Sequence, residues 1–365
     1  MAENKLEQLH EVGQSVWLDF ISRSFIDEGG LQDYVDQGLR GVTSNPSIFE
    51  EAISEGEEYD QDLARLASEG LSVQAVYENL AVKDIQEACE ILQPVYEESR
   101  GADGFVSLEA NPHLAHNTAG TILEVQRLWE MVDRENLMIK VPATPEGIPA
   151  VEVLTAQGYN INITLMFSLE QYEQVAEAYL SGLEQFAAQG GDPSTVSSVA
   201  SFFVSRIDVK VDRMLDALRD LEAEELKGRI GIASAKMAYQ RYLKKFSTVR
   251  WDRLADQGAR VQRVLYGSTS TKDPAYSDTL YPDNLIGKDT VNTLPPETLE
   301  AFLDHGTVSA SLTKDVGQAE MDLSLLTALG IDLHHVTLEL LDEGVIKFAN
   351  SYDELMSSIA EEIED

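Results

Sequence analysis

The sequence predicts an α/β protein, a closed (β/α)8 barrel of the TIM type, from three observations. Eight short β-rich apolar runs are bounded by turn residues, and most are separated by stretches of helical periodicity. No Gly-x-Gly-x-x-Gly follows an early run, which weakens an open dinucleotide-binding sheet. Repeated β then α implies a parallel sheet with covered faces, and eight such units point to closure.

The eight runs lie at 15–21, 41–45, 104–111, 137–143, 160–167, 199–207, 263–269 and 290–294. Helical periodicity occupies 73–100, 118–133, 168–189 and 209–226, and helices are expected after the last strand. The stretch GGDPSTVSS at 190–198 reads as a loop. With no repeat, low-complexity tract or long Pro/Ser linker, the expected organisation is one domain over 1–365. A C-terminal helical segment at about 296–365 would pack on the barrel.

Composition narrows the function classes. A chain of 365 residues, 43% hydrophobic, can bury a large core. Its formal net charge of −37 disfavours nucleic acid and anionic membranes, which are bound by clustered Lys and Arg. No apolar run reaches the ~18 residues of a membrane span, the N-terminus at 1–10 is charged rather than carrying an apolar stretch, and the lone Cys89 cannot form an internal disulfide. A cytoplasmic location is the expectation. If the substrate is anionic, the few cations near its site must overcome the surrounding field locally, so Lys and Arg at strand ends become informative.

In such barrels chemistry collects at the C-terminal ends of the strands. Asp19, Asn45 and Glu109 close the first three runs, Lys140 interrupts the fourth and Thr164 lies in the fifth. Ser201 and Arg206 lie in the sixth, while Ser268 ends the seventh and Lys272 follows it. Lys140, flanked by Met138, Ile139, Val141 and Pro142, is the sharpest. Desolvating an ammonium is costly and favours the free amine that attacks carbonyls. The competing reading is a strand lysine paired with a carboxylate or reaching out to water. Asp19 and Glu109 suit general acid–base work, although Asp19 can be a solvated charge and Glu109 merely the partner of Lys140. Arg206, Ser268 and Lys272 together fit a phosphate, against a simple salt bridge from Arg206 to Asp208 or Asp212. Glu109, His113 and His116 look like metal ligands, but Asn111-Pro112 reads as a helix cap and first helical residue, which makes the two His first-turn positions.

Four motifs, TSNPSIF (43–49), MIKVPAT (138–144), NITLMFS (162–168) and FFVSRID (202–208), resemble those of the transaldolases. The resemblance extends over nearly the whole chain, including IASAKMAYQRYLKKF (232–246) and GSTSTKDPAYSDTLY (267–281), and is nearest to the longer bacterial form. It implies that Lys140 is a Schiff-base lysine and Asp19 the acid–base acting on the C4 hydroxyl. It implies that Glu109 and Thr164 hold a catalytic water, that Asn45, Asn162 and Ser201 bind the dihydroxyacetone hydroxyls, and that Phe203 walls the pocket. Arg206 and Ser268 match the phosphate site. One departure stands out: Ser270 occupies the position where shorter members carry arginine, and the second phosphate cation is assigned to Lys272.

The implied reaction moves a dihydroxyacetone unit from sedoheptulose 7-phosphate or fructose 6-phosphate to glyceraldehyde 3-phosphate or erythrose 4-phosphate, in the non-oxidative pentose phosphate pathway. It needs no metal and no organic cofactor. The expected partners are small sugar phosphates, with no nucleic acid or membrane, for a monomer or homodimer. Related aldolases that release free dihydroxyacetone are shorter, and those cleaving fructose 6-phosphate carry glutamine at the position of Glu109 and tyrosine at that of Phe203. A glycoside hydrolase would place its carboxylates on strands four and seven, where this chain has Lys140 and Ser268. A non-catalytic sugar-phosphate binder gives Lys140 no purpose. The C-terminal helices are expected to cover the barrel, through Phe348 or Tyr352.

Overall fold

A computed structural model gives the structure of the protein and describes residues 4–364. The expected segments 1–10 and 296–365 therefore each reach slightly outside the described residues. Eight parallel strands close into a barrel in sequence order, with β8 returning to pair with β1. They are β1 (Gln14–Leu18), β2 (Gly41–Thr43), β3 (Phe105–Glu109), β4 (Leu137–Pro142), β5 (Ile161–Met166), β6 (Ser198–Phe203), β7 (Arg263–Gly267) and β8 (Thr290–Leu294). Each of the eight expected runs contains one of these strands, or most of it. They read as near-continuous apolar runs because helices cover the outside while the barrel fills the inside, so both faces are buried.

The inner face explains where the site sits. Trp17, Phe105, Met138, Val199, Leu265 and Val291 form one apolar cluster across the barrel, all at most 1% exposed. Side chains alternate faces along a strand, so the next inward residue lies two positions on. Two positions on from these six come Asp19, Ser107, Lys140, Ser201, Gly267 and Thr293. A dry plug of large side chains thus lies beneath a polar layer, and the polar layer faces the C-terminal mouth.

Three helices follow the last strand, Pro296–His305, Val316–Ala328 and Leu333–Glu364. The last of them packs on the helix Pro46–Glu55 and reaches β5. No helix among the described residues is long and apolar enough to cross a membrane.

The sixth unit departs from expectation. β6 stops at Phe203, and a helix runs Ser205–Leu218, followed by a short one at Leu221–Glu224. Arg206 therefore sits in a first helical turn and not in a strand. The apolar run 199–204 carries no Gly or Pro to mark the border, so periodicity alone extended the strand through Ile207. The 3-10 turn at Pro112–Leu114 is capped by the Asn111 side chain, as its Asn-Pro pair suggests.

Met138 lies in the plug two residues before Lys140 and is 1% exposed. Met138→Ala is expected to cost about 2–5 kcal/mol, read as a lower midpoint in chemical denaturation.

Candidate active site

A cavity of about 800 Å³ opens at the C-terminal face. Its lining includes Asp19, Asn45, Lys140, Thr164, Ser201, Phe203, Arg206, Ser268 and Lys272, which the sequence singled out from six strands and their loops. Two further candidates, Glu109 and Asn162, lie immediately behind it.

Lys140 is central. Parallel register places it beside Glu109 on one side and Asn162 on the other. Its side chain is 6% exposed, its Nζ lies 3.1 Å from Glu109 Oε2, and it donates to the Ser44 backbone carbonyl at 2.9 Å. The pairing reading is thus realised: the amine is anchored, with an acid in contact. Burial pushes the Glu109 carboxyl above the ordinary carboxylate range against the opposing charge of Lys140, and the charge of Asp19 adds to the rise. A carboxyl in that condition holds a proton more readily than an ordinary one. On its far side Glu109 borders a water-sized cavity of about 20 Å³, shared with Tyr77, Asn111 and Tyr352.

Asp19 follows β1 and accepts a 2.7 Å hydrogen bond from Thr43 Oγ1, which is itself 2.7 Å from Thr293 Oγ1. Thr164 is fully buried, and its Oγ1 has no hydrogen-bond partner among the described residues. A buried orphan hydroxyl that lines a cavity is suited to a ligand or an ordered water. The backbone beside it is strained: β5 bulges between Ile163 and Met166, and Leu165 takes φ +56. Ser201 Oγ donates to Asn162 Oδ1 at 2.6 Å, and Asn162 Nδ2 donates to Ser107 Oγ at 3.0 Å. Asn162 therefore lies below the cavity and holds Ser201, whose oxygen remains free to accept. Asn45 caps the helix Pro46–Glu55 with its side-chain oxygen, leaving its amide donors for the cavity.

Arg206 makes no salt bridge to Asp208 or Asp212. Asp208 instead accepts from the Gly231 backbone and from Tyr281, and Asp212 from the Gly228 backbone and Tyr276. The Arg206 guanidinium lies over the Phe203 ring at 5.1 Å. Burial holds its pKa below the usual value, with Asp19 opposing. Beside it, Ser268 takes φ +52 and its hydroxyl meets that of Ser205 at 2.9 Å, while Lys272 Nζ donates to Ser270 Oγ at 2.7 Å.

The three apparent metal ligands part company. Glu109 faces Lys140, whereas His113 meets Asp353 at 2.7 Å and His116 meets Glu146 at 3.2 Å. Of the two expected covering aromatics, Phe348 reaches the mouth, 6.0 Å from Lys140 Nζ, and Tyr352 packs behind it on Tyr77. Sequence reasoning missed the Ser44 carbonyl, which has no side-chain signature, and the Thr43–Thr293 pair. It also missed Lys210, Arg213 and Lys347, which line the same cavity from helices.

Fold and site together define a (β/α)8-barrel enzyme with a buried lysine at the mouth of its strands. The family model for transaldolase/fructose-6-phosphate aldolase matches residues 16–359. Transaldolase 2 of Nostoc sp. is 46% identical over 371 residues, covering 98% of this chain and 97% of that protein. The transaldolases of Parafrankia sp. and Thermobifida fusca are 48% and 45% identical, each covering 98% of both chains. The chain belongs to the transaldolase/fructose-6-phosphate aldolase family.

The loop after β7, which carries Lys272, is tied down by the Tyr281–Asp208 and Tyr276–Asp212 bonds. Burial raises the Asp208 carboxyl to about 7 from an ordinary 3.8. The folded state then keeps a proton that the unfolded chain releases, so this group favours folding at low pH and the benefit is lost as pH rises through about 7. Asp208→Asn is expected to flatten the fall in unfolding free energy over that window, measured by denaturation at a series of pH values.

Proposed function

We propose that the protein is a transaldolase that carries a three-carbon ketose fragment on Lys140. The observation that supports this reading best is a lysine amine held in a buried layer, in contact with an acid whose burial favours its protonated form.

The steps follow from the groups present. Glu109 takes the ammonium proton, and the free Lys140 amine adds to the C2 carbonyl of a ketose phosphate. The resulting carbinolamine loses its hydroxyl as water, with Glu109 returning the proton and the orphan Thr164 hydroxyl holding that water. The iminium so formed is an electron sink. Asp19 accepts the C4 hydroxyl proton, the C3–C4 bond breaks, and its electron pair moves into the iminium to give an enamine. An aldose phosphate leaves. A second aldose phosphate takes its place, the enamine adds to its carbonyl as Asp19 returns the proton, and hydrolysis frees the new ketose.

Positioning falls to the remaining side chains. Asn45 offers amide donors and Ser201 an acceptor to the hydroxyls of the three-carbon unit, and Asn162 fixes Ser201 from below. Arg206, with Ser268 and the loop of Lys272, receives the phosphate as a guanidinium suited to two-point contact. Phe203 backs the guanidinium and shuts water from that side. Donors of six or seven carbons and acceptors of three or four fit this division of the cavity into a carbonyl end and a phosphate end.

The test is a coupled assay with fructose 6-phosphate as donor and erythrose 4-phosphate as acceptor. Lys140→Met is expected to abolish transfer, and Asp19→Asn to lower kcat by about 10²–10⁴ with little change in KM. Release of free dihydroxyacetone should remain a small fraction of turnover. Full activity in folded Lys140→Met would overturn the mechanism, and dihydroxyacetone release matching donor cleavage would replace transfer by simple aldol cleavage.

A further inference from the structure

The cavity rim carries more positive charge than the assigned phosphate groups account for. Lys210, Arg213 and Lys347 line it together with Arg206 and Lys272. Lys210 is neutralised by Glu339 and Glu343, each at 2.7 Å. Arg206, Lys272 and Lys347 form no ion pair with a carboxylate among the described residues, in a chain with 64 acidic and 27 basic side chains.

These three cations come from three elements, the helix Ser205–Leu218, the loop after β7 and the C-terminal helix Leu333–Glu364. The C-terminal helix is held across the mouth by the Lys210 pairs and by a 2.8 Å contact between Ser351 and Ser47 hydroxyls. Its approach depends on Gly344. A Cβ there would lie 2.9 Å from Leu165 Cδ2 and 3.6 Å from Arg206 Nη1. Residues three and four apart share a helix face, so Lys347 and Phe348 point the way Gly344 does. Phe348 lies 6.0 Å from the Arg206 guanidinium, and Lys347 stands beside it at the rim.

We propose that Lys347 is a third phosphate-binding cation, which with Arg206 and Lys272 makes the C-terminal helix part of the device that distinguishes phosphorylated from unphosphorylated sugars. The proposal rests on the transaldolase reading and adds a specificity residue to it. Partial burial, and then the like charges of Arg206 and Lys272, hold Lys347 below the usual lysine range. None of the three is in an ion pair with a carboxylate among the described residues, and a dianion entering between them would relieve that repulsion. Lys272 alone is a weak second cation because its amine is turned back onto Ser270. A helix that supplies the missing charge also brings Phe348 over Lys140, so binding the phosphate and covering the amine are coupled through one rigid element.

The experiment measures kcat/KM for glyceraldehyde 3-phosphate and for unphosphorylated glyceraldehyde with saturating fructose 6-phosphate, and binding of inorganic phosphate by calorimetry. Lys347→Met should weaken phosphate binding about tenfold and reduce the phosphorylated-to-unphosphorylated preference by a similar factor, acting on KM more than kcat. Lys347→Arg should restore most of both. Lys347→Gln gives the same reading if the Met variant is poorly folded. An unchanged preference and unchanged phosphate binding in a folded variant would overturn the proposal. Equal losses with both acceptors would also overturn it, since they would mark a structural role. Absence of transfer by the wild type would instead remove the transaldolase reading, while phosphate calorimetry would still decide the role of Lys347.

Discussion

The structure turns on the 3.1 Å contact between the Lys140 amine and Glu109, in the buried polar layer above the apolar plug of a closed barrel. A lone ammonium there would be expensive, and removing one member of such a buried pair typically costs about 3–5 kcal/mol. The surroundings are arranged to hold the pair. Glu109 sits beside Lys140 in the strand register, the Ser44 carbonyl fixes the amine from β2's end, and the apolar cluster below excludes water from the floor. The same burial that makes the pair costly shapes its chemistry, because a desolvated carboxyl holds a proton more readily than an ordinary one.

Charge is the second constraint, and it works at two scales. The chain as a whole is strongly acidic, with a net charge of −37. Around the mouth, Arg206, Lys272 and Lys347 gather on one cavity without an ion pair to a carboxylate among the described residues. Local potential near a ligand is set by the nearest charges, since solvent and salt screen the rest over about 10 Å. An anionic substrate therefore meets an attractive rim on a repulsive body, which suits small phosphorylated sugars and disfavours large polyanions.

The strands and most of the site were legible because inward residues of a barrel recur with period two and functional groups gather at strand ends. Lys140 stood out as a charge in an apolar run, and Asp19 and Glu109 as carboxylates closing their strands. Arg206 was found but set on the wrong element, since an apolar run without Gly or Pro hides where a strand becomes a helix. Asn162 was read as a direct contact. Its strand position was visible, but its hydrogen bonds to Ser107 and Ser201, which draw it beneath the cavity, depend on neighbouring strands. Lys347 was illegible, as one lysine on an amphipathic helix far along the chain looks like a solvated face until Gly344 brings that helix against β5. Backbone groups such as the Ser44 carbonyl leave no trace in a sequence.

The most direct test is chemical trapping. The protein is incubated with fructose 6-phosphate alone and reduced with borohydride, and the modified peptide is located by mass. The account predicts a single reduced three-carbon adduct on Lys140, which identifies the nucleophile and shows that the fragment is retained after the aldose phosphate departs. An adduct on another lysine, or none from folded protein at saturating sugar, would contradict it.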